Sequence, residues 1–268
     1  MTASARRAGL VERLKATRIL HDIRVEAALS RVPRELFLPH VPLAQAYEDG
    51  PVPIKFRHGG AISSASQPTM VAIMLQLLDA APGARILEIG TGSGYNAALL
   101  AHLVTAAGSV TSIDIEPDLV EAARERLRNF PNVFVEAADG ARGYAANAPY
   151  DRIIVTAAAG DLEVAWWEQL HDGGIIVVPI ALDAIQHCVA FRRTGTTLQG
   201  VATVECSFIA LRGMAAAPPS AEHSSPQIWR ASTTIWATPT SRVDHTAIPR
   251  GATIVRRPAT TFVIRPGD

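Results

Sequence analysis

Leu87-Glu88-Ile89-Gly90-Thr91-Gly92-Ser93-Gly94-Tyr95 is the stretch that decides the fold. The apolar run Arg85 to Ile89 predicts a strand, the glycines a tight turn, and the run from about Tyr95 to Val104 a helix. A glycine-rich turn between a strand and a helix is where a nucleotide-type cofactor meets a chain. Glycines let the backbone approach a ligand closely, and the helix start offers unpaired N–H groups at a positive dipole end.

Working outward from the turn, strands and helices alternate. Ser109 to Ile113 predicts a second strand ending in Asp114, and Pro117 opens a helix with an apolar stripe at Leu119, Ala123, Leu127 and Phe130. Val133 to Val135, Asp151 to Thr156 and Ile175 to Pro179 predict further strands, with a helix over Leu162 to Leu170. That alternation predicts an α/β fold with a doubly wound, mostly parallel sheet. Val189 to Phe191 and Val201 to Ile209 look like an antiparallel pair at its edge. Upstream, the pattern predicts one helix over Leu10 to Leu29, stopped by Val32-Pro33, then a loop-rich stretch from Pro39 to Gly60. Another helix is predicted from Ser66-Gln67-Pro68 to about Asp79, with Met70 and Met74 on its core face. Three segments are expected: 1–60, helical and substrate-facing; 61–213, the α/β unit; and 214–268, a Pro/Ser-rich linker and extension with strand-like pieces at Thr233 to Ala237 and Thr260 to Ile264.

The glycines stand at 90, 92 and 94, a GxGxG run, whereas dinucleotide folds that hold a pyrophosphate use GxGxxG. GxGxG is the common form in S-adenosylmethionine enzymes, whose cofactor has no phosphate. Its methionine carboxylate can meet the N–H groups of Gly90, Thr91, Gly92, Ser93 and Gly94, while Glu88 can help hold its ammonium group. Asp114, about 20 residues past the last glycine, is placed to accept hydrogen bonds from ribose hydroxyls, with Ile115 beside it. Asp139 and Gly140 follow the third strand, and Asp139 is placed to meet the adenine amino group. Three consecutive strand ends agree on one cofactor.

Bulk composition narrows the partners. The chain has 268 residues, 48% hydrophobic, with 25 basic residues against 25 acidic. This balance gives no electrostatic footprint for nucleic acid or an anionic membrane. No stretch approaches the ~18 consecutive apolar residues of a membrane span, and Met1 to Arg13 lacks the apolar core of a secretory signal. The two cysteines, Cys188 and Cys206, are expected to be buried thiols in a reducing, cytoplasmic setting. They cannot alone make a four-ligand zinc site, and the eight histidines show no ligand spacing, so no metal is expected.

Several longer matches point to a family. Val32-Pro33-Arg34-Glu35-Leu36-Phe37-Leu38-Pro39, Ala46 to Ile54, Ser66-Gln67-Pro68, the Glu88 to Tyr95 loop, Ala138-Asp139-Gly140, Pro149-Tyr150-Asp151, Ile154 to Ala158 and Gly173-Gly174 before Val178-Pro179 occur in order. Over roughly residues 25 to 213 the chain resembles the protein-L-isoaspartate (D-aspartate) O-methyltransferases. The resemblance implies a Rossmann-like class I S-adenosylmethionine-dependent methyltransferase with altered order at its C-terminal strands. It implies a peptide or protein substrate and a methyl ester on an isoaspartyl or aspartyl carboxylate, able to collapse to succinimide. It also implies that the Ser66 hydroxyl lies beside the transferred methyl. Asp49, Pro51, Val52 and Ile54 would help wall the peptide side together with Ser64 and Gln67. Thr156, Ala157 and Ala158 would floor the pocket.

The resemblance has departures. Where the family usually reads Thr-Ile-Ser-Gln-Pro, this chain has Ala61-Ile62-Ser63-Ser64-Ala65-Ser66-Gln67-Pro68, with extra residues, so Ser63 and Ser64 compete with Ser66 for the role. Relatives with C-terminal extensions include enzymes that modify aspartate in dedicated ribosomally made peptides, which is the alternative biological task. Local sequence also leaves Ser66 an ordinary helix N-cap. The chemistry itself asks for little machinery. A carboxylate with a pKa near ~4 is already ionised at neutral pH, and orientation alone is worth roughly 7–11 kcal/mol. Two other classes fit less well: a nicotinamide oxidoreductase, against which the glycine spacing argues, and a non-catalytic adaptor, against which the complete cofactor set argues.

Overall fold

The computed structural model describes residues 1–181, 185–213, 234–242 and 252–265. In chain order its elements are α1 (Ala3–Ala16), α2 (Ile23–Arg31), α3 (Leu43–Ala46), β1 (Val52–Arg57), β2 (Gly60–Ala65), α4 (Pro68–Leu78), β3 (Arg85–Ile89), α5 (Tyr95–Val104), β4 (Ser109–Asp114), α6 (Pro117–Arg126) and β5 (Val133–Ala137). They continue with β6 (Tyr150–Val155), α7 (Val164–Gln169), β7 (Leu170–Ala181), β8 (Gln186–Thr194), β9 (Thr197–Cys206), β10 (Thr234–Pro239), β11 (Thr253–Arg256) and β12 (Thr260–Arg265).

Strand β3 lies between β4 and β6, parallel to both, so the glycine turn after Ile89 opens at a point where the strand order reverses. That is the usual ligand crevice of an open α/β sheet. The expected doubly wound sheet is present, and its full order is β11-β12-β10-β9-β8-β7-β6-β3-β4-β5 in 10 strands. The run β5-β4-β3-β6-β7 is parallel, and β8 and β9 follow as an antiparallel meander.

Strand alternation divides the interior. Ile86 packs into the cluster shared with α1, α2, α4 and α5, whereas Leu87 and Ile89 point to the opposite cluster around Trp166, Trp167 and Phe191. The predicted helix over Leu10 to Leu29 is in fact two. The chain turns through Arg18 at φ 59°, and the Asp22 carboxylate accepts from the Arg24 amide at 2.7 Å, capping α2. The Pro39–Gly60 loop contains α3 and β1, and the boundary drawn between residues 60 and 61 passes through the β1–β2 hairpin.

The C-terminal segment joins the same sheet. Its linker-like stretch from Met214 to Pro226, and Thr233, lie outside the described residues. Strand β10 pairs with β9, and β12 pairs with β10. Ile235, Ala237, Phe262 and Ile264 all bury into the cluster with Phe191 and Leu198. Gly200 makes this possible, because any Cβ there would collide with the Ile235 side chain. Among the described residues, no helix is long and apolar enough to cross a membrane.

Candidate active site

A cavity of about 590 Å³ opens at the C-terminal ends of β3, β4 and β6, within the usual size for a small-molecule site. Gly90, Gly92, Asp114, Ile115, Gly140 and Thr156 line it on the expected cofactor side. Pro51, Ser64, Ser66, Gln67 and Ala157 line it on the expected acceptor side. These residues come from six separate stretches of sequence, and the fold gathers them into one wall.

The glycine loop is held from below. Gly90 has φ 102°, and a Cβ there would strike the Thr156 hydroxyl, so only glycine fits. That hydroxyl donates to the carbonyls of Gly90 at 2.7 Å and Ile89 at 3.1 Å, tying the loop to the end of β6. The Gly92 amide donates to Asp114 Oδ2 at 2.9 Å, and the Glu116 amide donates to Oδ1 at 3.0 Å. Burial raises the Asp114 carboxyl above its ordinary value, against the pull of these two amides.

Several candidate residues stand off the cavity, each for a visible reason. Glu88 is fully buried: Oε1 accepts from Asn96 Nδ2 at 2.8 Å and Oε2 from Ser112 Oγ at 2.5 Å. Thr91 Oγ1 lies 2.7 Å from the same Ser112 hydroxyl, so a polar chain underlies the loop. Burial pushes the Glu88 carboxyl up to about 7. Its place is therefore beneath the loop, with its oxygens engaged by the chain's own donors. Ser93 is buried, its Oγ accepting from the Tyr95 amide at 3.3 Å, and Gly94 backs onto Leu127 and Ala123 at the end of α6. The Asp139 carboxylate caps the turn at Gly140–Arg142, accepting from the Ala141 amide at 3.0 Å, and lies against Gly213.

On the acceptor side, Asp49 accepts from the Thr69 amide at 2.9 Å and the Thr69 hydroxyl at 2.7 Å, so it fastens the start of α4. Val52 is buried in the core, Ile54 approaches Gly92, and Ala158 is bonded to Ile209 and Leu211. Ser66 is not the helix cap. The N-cap of α4 is Gln67, with no side-chain cap bond, and among the described residues the Ser66 hydroxyl forms no hydrogen bond. The hairpin that precedes it is irregularly paired, with register shifts between Pro53 and Lys55 and between Lys55 and Phe56.

Sequence reasoning misses a further wall, Glu205 to Arg212. The apolar run Val201 to Ile209 reads as one strand, but β9 ends at Cys206, and the chain then crosses the cavity, bridging to Ala158. Cys206 and Met70, both expected as plain core, line the cavity. The Cys206 thiol is pushed up to about 12 by burial, which keeps it protonated and poorly nucleophilic. Also missed is Glu116, which gathers Lys55 and Arg57 from β1 and Arg212 from the crossing segment. The hydrogen bonds from Lys55 and Arg212 hold its carboxyl down at about 2.

The comparisons with known proteins point to one family. The family model for protein-L-isoaspartate(D-aspartate) O-methyltransferase matches residues 5–216. This chain belongs to that family. A protein-L-isoaspartate O-methyltransferase of Hyperthermus butylicus is 41% identical over 215 residues, covering 76% of this chain and 87% of the relative. That of Ignicoccus hospitalis is 45% identical over 173 residues, 64% of this chain and 80% of the relative. A solved protein-L-isoaspartate O-methyltransferase superposes with a TM-score of 0.72 at 31% identity, covering 78% of this chain and 67% of its own. The protein is thus an S-adenosylmethionine-dependent methyltransferase of the class I fold, as the family resemblance implies. The matched region stops short of β10, β11 and β12.

Proposed function

We propose that this enzyme methylates the free carboxylate of L-isoaspartyl residues in proteins or peptides, giving an ester that can collapse to succinimide. The observation that carries the reading is a serine wall beside the glycine loop: Ser63, Ser64 and Ser66 all line the cavity, and Ser66, which adjoins α4, is not spent on capping it. The residues present fit the cofactor. A cradle of glycines that a Cβ would crowd, a carboxylate at the end of β4 and a turn after β5 meet around one cavity. Gly90, Gly92, Asp114, Ile115, Gly140 and Thr156 would hold S-adenosylmethionine, which supplies an activated methyl and a neutral leaving group when bound.

The chain's own task is positional. Ser66 Oγ donates to one oxygen of the acceptor carboxylate and leaves the other directed at the methyl. The nucleophile arrives already ionised, so no side chain has to remove a proton. Pro51, Met70 and Phe208 line the cavity with apolar surface and thin the water around the two reacting charges. Incubation with methyl-labelled cofactor and a matched pair of aspartyl and isoaspartyl peptides tests the reading. Mass spectrometry should show one added methyl on the isoaspartyl peptide, followed by loss of methanol. Equal or preferred labelling of the aspartyl peptide would replace repair of isomerised residues with modification of a dedicated peptide.

A further inference from the structure

Val32-Pro33 ends α2 and starts a short 3-10 turn, Arg34–Phe37, and Arg34 turns inward from it. The side chain is 0% exposed. Its Nε donates to the Ala46 carbonyl at 2.9 Å, its Nη2 donates to the Ser66 carbonyl at 2.9 Å, and the guanidinium lies 4.9 Å from the centroid of the Tyr95 ring. The remaining nitrogen, Nη1, is buried and has no partner. Among the described residues, no carboxylate forms an ion pair with Arg34.

No carboxylate among them lies within ion-pair distance of this buried cation, Asp49 acting on it only through longer-range attraction, and a buried charge so poorly compensated is expensive. Burial accordingly pulls the Arg34 pKa down. Arg34 lines a recess of about 40 Å³ behind the main cavity, together with Ser64, Ser66, Gly90, Gly92 and Thr156, which line both spaces. The recess admits about one oxygen-sized group. Two backbone carbonyls and an aromatic face fix the guanidinium plane, so Nη1 has no freedom to swing out to water.

We infer that Arg34 is a carboxylate-reading residue of this active site, its free Nη1 donating a charge-assisted hydrogen bond to a carboxylate oxygen that enters between Ser66 and the glycine loop. The inference rests on the carboxyl-methyltransferase reading above. Two carboxylates share this chemistry, that of the isoaspartyl acceptor and that of the cofactor's methionine. Methylation removes the acceptor's charge, so a fixed cation favours the bound acid over the ester. It therefore acts on binding and product release more than on the chemical step. Its hold on the Ser66 carbonyl makes it a positioning residue as well.

The test measures binding of matched ligand pairs to the full-length protein, as wild type, Arg34→Lys and Arg34→Met. One pair is an isoaspartyl peptide and its isoasparaginyl counterpart; the other is S-adenosylhomocysteine and its decarboxylated analogue. In one pair, wild type should prefer the carboxylate by about tenfold or more. Arg34→Met should abolish that preference and Arg34→Lys restore part of it. A merely structural role would weaken both members of each pair equally, and that result would overturn the inference. Should Arg34→Met fail to fold, a crystal of the wild type with peptide and S-adenosylhomocysteine decides: a carboxylate oxygen about 2.8 Å from Nη1 supports it, and a water there with both carboxylates elsewhere overturns it. Failure of the underlying reading looks different, since wild type would then neither methylate the isoaspartyl peptide nor tell it from the amide.

Discussion

Ser66 stands two residues before Pro68, where a hydroxyl would ordinarily cap a helix, and the chain assigns that duty elsewhere. Asp49 reaches across from the preceding loop to the Thr69 amide at 2.9 Å, leaving the serine free. Ser66→Ala should therefore cost little stability. It should lower kcat by about tenfold or more, as loss of a charge-assisted hydrogen bond implies, while the affinity for S-adenosylmethionine stays within a few-fold. Steady-state kinetics with calorimetry checks this, and undiminished turnover would remove Ser66 from the reaction. Glu88 is visible in the sequence as an acid beside the loop, but its burial is not, because nothing local says that Ser112 and Asn96 will close over it. With its pKa raised from 4.5 to about 7, the neutral form is favoured in the folded protein. That contribution is complete below 4.5 and is lost as pH rises through about 7. Glu88→Gln should flatten the decline in ligand-free stability across this window, recovering up to a few kcal/mol at pH 8. Urea midpoints measured against pH would show it; parallel profiles for the two proteins would contradict it.

The β1–β2 hairpin and the Glu205 to Arg212 segment both line the cavity, and one carboxylate holds both. Glu116 is 6% exposed and takes Lys55 and Arg57 from the hairpin and Arg212 from the crossing segment, while its amide anchors Asp114. Glu116→Gln should raise KM for the cofactor several-fold with a smaller effect on kcat. Added salt should raise the wild-type KM in the same direction, since Arg57 is half exposed and its attraction is screened. The attraction is complete above 4.5, the ordinary carboxyl value, and falls away as pH drops toward about 2. A KM indifferent to both salt and the substitution would mean that packing alone holds these segments. None of this network was legible in the sequence. Lys55, Glu116 and Arg212 are far apart in the chain, and each reads as an ordinary surface charge. The strands β3, β4 and β6 were legible because their apolar runs end in glycine, aspartate or threonine at one edge of the sheet. The crossing segment was hidden because Val201 to Ile209 keeps a strand-like pattern past the point where pairing ends.

At the scale of the whole molecule, the sheet continues beyond the region matched by the family, and the continuation reaches the active site. Strands β10 and β12 bring Ile235, Ala237, Phe262 and Ile264 onto Phe191 and Leu198, and the Phe191 and Phe262 rings lie 6.4 Å apart. The turn before β12 also grips the loop after β6: the Ala259 amide donates to Asp161 Oδ2 at 2.7 Å, and the Thr260 hydroxyl donates to the Leu162 carbonyl at 2.9 Å. That loop begins with Thr156 and Ala157, which line the cavity. A Pro- and Ser-rich spacer in the sequence suggests an appendage, yet the burial of Phe262 at 0% exposure argues that the last strands share the main core. Phe262→Ala separates the two descriptions. If the strands are part of one cooperative unit, the substitution opens a hole in the common core and lowers the stability of a single unfolding transition by about 3–5 kcal/mol. Calorimetry and circular dichroism should then report the same midpoint, and KM for the acceptor should rise as the loop after β6 loosens. An unchanged main transition, preceded by a separate early one, would instead make the last strands an independent attachment, with no hold on the pocket they adjoin.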